Sequence, residues 1–82
     1  MYDPLRDFLK EVPLQQQEVM LSFTQIERIL GESLPQSAHK HRAWWSNEQH
    51  GQHTNAHAWM TAKWEVDAVD QKAKWVRFRR QR

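Results

Sequence analysis

The sequence contains no cysteine, only two glycines and no long apolar run. The absence of cysteine excludes disulfide bonds, a cysteine-ligated zinc site and thiol catalysis. No segment approaches the roughly 20 apolar residues of a membrane-spanning helix. The N-terminus, Met1-Tyr2-Asp3-Pro4, lacks the basic and apolar regions of a signal peptide. We therefore expect a cytoplasmic protein that binds no membrane.

Aromatic residues compensate for the small size of the chain. Its 82 residues are enough for one domain, which we expect to span 1–82. Five tryptophans, three phenylalanines and one tyrosine are many for a core of this size. Because each aromatic side chain can bury roughly 150–250 Å², they indicate how the domain folds without disulfide bonds.

Positive charge is concentrated in the second half of the chain. Residues 1–38 carry three basic and six acidic side chains, which gives −3, whereas residues 39–82 carry nine basic and four acidic side chains, which gives +5. This asymmetry is typical of proteins that bind a polyanion. The alternative is a solvated basic tail with no partner.

Two early segments have the apolar spacing of helices. Residues 4–12 follow the start signal Asp3-Pro4 and are ended by the proline at position 13. Residues 23–30 begin with a possible capping box formed by Ser22 and Gln25, and Gly31 can supply a left-handed C-cap. The sequence therefore predicts helices over 4–12 and 23–30.

The remaining elements are a third helix and three strands. Apolar residues alternate over 19–23, which predicts a short strand, and a helix is expected over 55–62. Alternation over 64–70 and 74–80, on either side of a polar turn, predicts a C-terminal β-hairpin. Ser37 can cap a short helix that runs through His41, whereas residues 41–47 show no helical period and can be extended.

These elements predict an α+β fold, with three helices packed on a small antiparallel sheet that includes the C-terminal hairpin. Their order resembles that of a winged helix, in which a helix-turn-helix is followed by a two-stranded wing. The segment between the second and third helices, residues 31–54, is longer than the usual turn of 3–4 residues. A generic α+β domain is the alternative.

Most of the chain, from Tyr2 to Arg79, resembles a family of small bacterial domains of unknown function. The resemblance rests on Leu21-Ser22-Phe23-Thr24-Gln25-Ile26-Glu27-Arg28-Ile29-Leu30-Gly31, on Leu34-Pro35-Gln36-Ser37-Ala38, on His41-Arg42-Ala43-Trp44-Trp45-Ser46-Asn47, and on His53 to Trp59. It implies no established activity. One departure is Lys63, which stands where the family pattern has glycine after the third helix. Because lysine is strained in a left-handed C-cap, we expect that helix to end differently.

Histidines are the strongest candidates for metal ligands. His50, His53 and His57 have a spacing that can hold Zn²⁺, and His39 and His41 lie upstream. The cluster lacks cysteine and a supporting carboxylate, so we expect hydrogen-bonding histidines, no metal and no cofactor. The serines and paired carboxylates form no recognisable catalytic arrangement, and we expect a protein that is not an enzyme.

The adjacent tryptophans Trp44 and Trp45 allow two interpretations. If they lie on a strand, their rings point in opposite directions. Both rings can then be buried on the two sides of a thin sheet, or one can be exposed to stack on a base or hold a peptide. Their indole N–H groups need acceptors, which Ser46 or Asn47 can supply.

The C-terminal strand carries the clearest functional pattern, because arginines alternate with apolar residues and share a face with Trp75. Guanidinium groups beside an indole favour phosphate contact combined with stacking. The leading hypothesis is a non-enzymatic module that binds nucleic acid, most plausibly duplex DNA, through its basic hairpin. The alternative is a protein-interaction domain that docks a partner through the Trp44/Trp45 region or the hairpin edge. The residues predicted to bind nucleic acid are Arg42, Asn55, His57, Lys63, Lys72, Lys74, Arg77, Arg79 and Arg80.

Overall fold

The computed structural model describes residues 2–48 and 54–82. It has an α+β fold, as the sequence predicts. In chain order the elements are α1 (Asp3–Lys10), β1 (Glu18–Ser22), α2 (Phe23–Leu30), α3 (Gln36–Lys40), a 3-10 helix (Arg42–Trp45), α4 (Thr54–Thr61), β2 (Trp64–Asp70) and β3 (Trp75–Arg80).

The three strands form one antiparallel sheet in the order β1-β3-β2. The predicted hairpin is confirmed, since β2 and β3 pair from Trp64 opposite Arg80 to Asp70 opposite Trp75. The short strand β1 pairs with the other edge of β3. A β-bulge interrupts β2 between Val66 and Ala68, and it leaves Asp67 as the additional residue.

Local sequence signals fix both ends of α2. The backbone N–H of Gln25 donates to Ser22 Oγ at 3.0 Å, and the backbone N–H of Ser22 donates to Gln25 Oε1 at 2.8 Å. This is the predicted capping box. Gly31 ends the helix with a φ of 76°, a left-handed conformation that glycine adopts without steric cost. The predicted range of 23–30 is therefore confirmed.

The middle of the chain is where the sequence prediction is wrong. Arg42–Trp45 are not extended, because they form a 3-10 helix that follows α3. The indole N–H of Trp45 donates to the carbonyl of Ala38 at 2.8 Å, and this bond folds the segment back on α3. The short helix expected after Ser37 is present as α3, although it begins at Gln36. Residues 2–48 and 54–82 thus contain four α-helices, one more than the three of the predicted fold.

The core is built from apolar side chains of the helices and of one side of the sheet. Ile26, Trp59, Val76 and Phe78 are fully inaccessible to solvent. Phe8 shares the apolar spacing of α1 but is 38% exposed, whereas Leu5 and Leu9 are buried. Ile29, Leu30 and Val66 are only partly buried. Among residues 2–48 and 54–82, no helix is both long enough and apolar enough to cross a membrane.

The end of α4 corrects a second expectation. Lys63 follows this helix with a φ of 69°, so it adopts the left-handed conformation that glycine has in the family pattern. Its backbone N–H still donates to the carbonyl of Met60 at 3.1 Å. The helix therefore ends in the ordinary way, and the lysine retains the strain of an L-residue in this region.

Candidate nucleic-acid interface

The outer face of the sheet holds Arg77 and Arg79, which we call the sheet-face pair. Asp67 bonds both of them: Arg77 Nη2 lies 2.8 Å from Oδ2, and Arg79 Nη2 lies 3.0 Å from Oδ1. The bulge of β2 places this carboxylate between the two guanidinium groups. Glu18 and Glu65 lie opposite Arg79 on the neighbouring strands. Acidic side chains of the same sheet therefore offset the charge of the pair.

Arg80, the next arginine on β3, is directed inside the molecule. Its guanidinium donates to three backbone carbonyls: Nη2 lies 3.0 Å from Val12 O and 2.8 Å from Pro13 O, while Nε lies 2.8 Å from Gln16 O. It also lies 4.3 Å from the ring centroid of Trp64, a cation–π distance. Arg80 thus ties the segment after α1 to the sheet, a role that the sequence pattern did not reveal.

A different group of basic residues lies around the turn of the hairpin. Lys72 and Lys74 are exposed on this turn, which is closed by the N–H of Lys74 donating to Asp70 O at 2.7 Å. The carbonyl of Lys74 accepts the N–H of Phe23 at 2.9 Å. The N-terminus of α2 is therefore beside the turn, and its first helical turn contains no acidic residue.

Two more basic residues, Lys40 and Arg42, lie near the turn although they belong to the middle of the chain. Arg42 Nη1 donates to the carbonyl of Val69 at 3.1 Å, and Gln71 Nε2 donates to the carbonyl of Ala38 at 3.0 Å. These bonds hold α3 and the 3-10 helix against the end of the hairpin. We call the resulting group the turn-end cluster; its members are Lys40, Arg42, Lys72 and Lys74, and all four side chains are exposed.

The turn-end cluster has no ion pair within residues 2–48 and 54–82, where the cations in ion pairs are Arg6, Arg77 and Arg79. Asp70 lies on the turn itself, accepts the N–H of Ala73 through Oδ1 at 2.8 Å, and offsets part of the positive charge of the cluster. Lys72 and Lys74 therefore keep exposed ammonium groups, whereas Arg42 also donates to the carbonyl of Val69.

The predicted residues of α4 do not join the cluster. Asn55 is 5% exposed and donates from Nδ2 to the carbonyl of Trp44, so it supports the 3-10 helix. His57 is exposed on α4. Lys63 precedes β2 and Lys72 follows it, so the length of the strand, roughly 20 Å, separates them.

Trp44 and Trp45 belong to one aromatic cluster and not to two sides of a sheet. The ring of Trp45 is stacked between Phe23 and Trp59, with centroid distances of 5.2 and 5.9 Å. Trp44 meets Trp45 edge-on at 4.6 Å and remains half-buried. Because both rings lie on a 3-10 helix, the alternation of a strand does not apply to them.

Asn47 explains why this motif ends in asparagine. Its Oδ1 accepts the indole N–H of Trp59 at 3.0 Å and the backbone N–H of Val66 at 2.8 Å, and its Nδ2 donates to Val66 O at 2.9 Å. The prediction that Asn47 accepts an indole N–H is confirmed. The two bonds to Val66 also act as a strand partner would, so Asn47 and Arg42 cover the edge of β2. The backbone groups of Val66 and Val69 are therefore already bonded at that edge.

The structure brings together only part of the predicted site. Arg42, Lys72 and Lys74 lie at the turn end of the hairpin, where Arg42 also donates to the carbonyl of Val69. Arg77, Arg79 and Arg80 lie elsewhere on β3 and are held by the protein's own oxygens. Lys40 lies on the short helix that the sequence allows after Ser37, but it was not among the residues predicted to bind nucleic acid. Its signal was its place beside Arg42 in the sequence His39-Lys40-His41-Arg42.

No metal-ligand group is present within the described part of the chain, where no three side chains of histidine, aspartate or glutamate come together. Two members of the histidine pattern, His50 and His53, lie outside the described residues. Of the rest, His39 packs edge-on against Phe23 at 5.2 Å, so it takes part in the aromatic core.

Comparison with curated proteins and with solved structures found no match. A family model described as "Domain of unknown function (DUF7662)" matches residues 2–81. This match covers every described element from α1 to β3. The chain therefore belongs to the DUF7662 family of domains of unknown function.

Proposed function

We propose that this domain is a non-enzymatic module that binds the phosphate backbone of duplex DNA through the turn-end cluster. The observation that carries the proposal is the convergence of four exposed bases, none of them ion-paired among the described residues, at one end of the hairpin. Lysine and arginine that neutralise phosphates release the condensed counterions of DNA, which supplies most of the affinity for a sequence-independent site.

The N-terminus of α2 supports the same surface. The start of a helix carries partial positive charge, and Phe23 places this end of α2 against Lys74. The N–H groups of Phe23 and Gln25 already donate to Lys74 O and Ser22 Oγ, so the contribution of the helix start is its dipole rather than these two donors. The order of elements is also compatible with a winged-helix-like arrangement, because a hairpin follows α4. Here α3 and the 3-10 helix are inserted before α4, and they supply Lys40 and Arg42.

The proposal places the phosphate contacts on the turn-end cluster instead of the C-terminal arginines. A phosphate that approached Arg77 or Arg79 would compete with Asp67 at 2.8–3.0 Å. A phosphate at Arg80 would have to replace bonds to Val12, Pro13 and Gln16. Neither cost applies to Lys72 and Lys74.

The alternative is a protein-interaction domain that docks a partner through the Trp44/Trp45 region, where Trp44 is half-buried, or through the hairpin edge. Met20 is a further exposed apolar side chain, 55% exposed in the middle of β1 at the other edge of the sheet. A partner that docked there would bury apolar surface, and its affinity would depend little on salt. Salt dependence therefore distinguishes the two functions.

The test is a titration of fluorescent duplex DNA by anisotropy at several salt concentrations. We compare the wild-type protein with the double variant Lys72→Gln/Lys74→Gln. Each phosphate contact removed should reduce the slope of log affinity against log salt by about 0.9. The double variant should therefore bind all sequences more weakly and with a flatter slope.

The matched control is Lys10→Gln/Lys63→Gln, which removes the same charge at the opposite end of the hairpin. Lys10 is placed at that end by its neighbour Leu9, whose carbonyl accepts the indole N–H of Trp64 at 3.0 Å. Lys63 is placed there by its carbonyl, which accepts the backbone N–H of Gln81 at 2.9 Å. Equal weakening by the two double variants would show a general charge effect and would contradict the proposed site.

A further inference from the structure

A cleft of about 300 Å³ is formed by α3, the 3-10 helix and the residues that follow. No member of the turn-end cluster lines it, but Lys40 and Arg42 are the sequence neighbours of one lining residue, His41. The volume of the cleft is at the lower end of the range for small-molecule sites. The lining side chains are Ser37, His41, Ala43, Trp44, Ser46 and Glu48.

Trp44 gives this cleft a rigid aromatic surface. Its ring is braced edge-on by Trp45 at 4.6 Å and by Tyr2 at 5.8 Å, both at an interplanar angle of 73°. Its carbonyl accepts a hydrogen bond from Asn55, a buried side chain. A half-buried indole that is fixed in this way can stack on a flat ligand without first losing rotamer freedom.

The indole N–H of Trp44 is also different from those of the core. Trp45, Trp59 and Trp64 each donate to an acceptor within the protein. Among residues 2–48 and 54–82, no such acceptor is recorded for Trp44. Its ring therefore combines an apolar surface with a donor that a ligand can use.

The polar groups around the indole are mainly hydrogen-bond acceptors. Glu48 contributes a carboxylate, Ser37 and Ser46 contribute hydroxyl groups that can donate or accept, and His41 contributes an imidazole. A carboxylate that accepts two parallel N–H bonds forms one of the stronger recognition pairs. Among the nucleobases, guanine offers that pair through its ring N1–H and its 2-amino group.

We propose that the Trp44 cleft binds an unpaired guanine base, with the purine stacked on Trp44 and its Watson–Crick edge bonded to Glu48. The base must be unpaired because that edge is occupied in a duplex. This inference rests on the proposed function, since the turn-end cluster would hold the phosphates on either side of the base. It adds a base-specific contact to an interface that is otherwise independent of sequence.

The experiment compares a short blunt duplex with the same duplex carrying one bulged guanine or one bulged thymine. Stacking on an aromatic side chain strengthens binding by about tenfold per base, so the wild type should prefer the bulged guanine to the blunt duplex by about that factor. Glu48→Gln should retain binding of bulged DNA and lose the preference for guanine over thymine. Trp44→Leu should lose the gain from both bulges, and Trp44→Phe should restore part of it.

A second measurement uses guanosine monophosphate as the probe and tryptophan fluorescence as the readout. Saturable quenching that Trp44→Leu abolishes supports the cleft even if duplex binding fails. The proposed function fails alone if no duplex binds at low salt while this quenching persists. The guanine inference is overturned if the wild type binds blunt and bulged duplexes equally, or if quenching is the same in the wild type and Trp44→Leu.

Discussion

The two ends of the β2–β3 hairpin carry similar positive charge and use it differently. At the open end, Arg80 donates to Val12, Pro13 and Gln16 and lies over Trp64. At the turn end, Lys72 and Lys74 are exposed and in no ion pair within the described part of the chain. One end therefore uses its charge to hold the fold together, while the other presents charge to solvent.

This difference shows why charge counted along a sequence is a weak guide to a binding surface. The sequence has five bases from Lys74 to Arg82 and no acid among them. Asp67 is distant from them in sequence, but the bulge in β2 brings its carboxylate between Arg77 and Arg79. The arginine-rich strand thus contributes less free charge than the two lysines before it.

The largest expected effect is on stability, in a comparison of the adjacent residues Arg80 and Arg79. Arg80→Ala should lower the free energy of unfolding by about 2–3 kcal/mol, because charged hydrogen bonds to the backbone and the contact with Trp64 are lost. Arg79→Ala should cost less than about 1 kcal/mol, since its ion pair lies at the surface. Urea denaturation of both variants measures the difference. Equal losses would contradict the division between structural and surface arginines.

The next effect concerns the sheet-face pair. Asp67→Asn should free Arg77 and Arg79 for phosphate, which should strengthen DNA binding and steepen the salt slope by up to about 0.9 for each new contact. Glu11→Gln is the matched control, since it removes one exposed acid next to α1 at the open end. Anisotropy titrations of the two variants provide the comparison. Unchanged binding by Asp67→Asn would show that these arginines do not reach DNA even when unpaired.

A smaller effect comes from the two lysines with left-handed backbone. Lys63 and Lys74 have φ values of 69° and 64° and lie at opposite ends of the hairpin. Replacing either with glycine should raise the free energy of unfolding by about 0.5–1 kcal/mol, because glycine relieves the strain. Only Lys74→Gly should also weaken DNA binding. Thermal denaturation tests the expected gain in stability, and anisotropy on the same samples tests DNA binding. Weaker DNA binding by Lys63→Gly would contradict a binding site at the turn end of the hairpin.

The smallest effect concerns pH. Burial raises the pKa of the Tyr2 phenol above its ordinary value of 10.0, and the nearby Glu32 raises the pKa further. The unfolded chain therefore loses this proton at a lower pH than the folded chain does. The phenol therefore makes its full contribution to the free energy of unfolding below about pH 10. This contribution declines as the pH rises from there through the pKa of the folded state. Between neutral and alkaline pH, the free energy of unfolding should therefore fall less for Tyr2→Phe than for the wild type.

Local signals predicted the elements whose boundaries depend on neighbouring residues. The capping box of Ser22 and Gln25, the left-handed Gly31 and the alternation of the hairpin were all readable because each involves residues close in sequence. The 3-10 helix was not readable, since it depends on Trp45 stacking against Phe23 and Trp59. Those contacts exist only after the chain has folded.

The candidate site divides in the same way. Lys72 and Lys74 were predicted because a hairpin turn is exposed by its own geometry. The pairing of Asp67 with the sheet-face pair depends on strand register and a bulge, which residue spacing does not show. Lys40 was missed because the bonds from Gln71 to Ala38 and from Arg42 to Val69, which bring its helix to the turn, join distant parts of the chain.

The most direct test of the account is a titration of ¹⁵N-labelled protein with duplex DNA at low salt, followed by amide chemical shifts. The account predicts that the largest shifts occur at residues 39–43 and 71–75 and at the start of α2. Amides of β1 and of residues 77–79 should change little. Largest shifts along the outer face of the sheet, at Met20, Arg77 and Arg79, would contradict the central claim that the turn-end cluster is the binding surface.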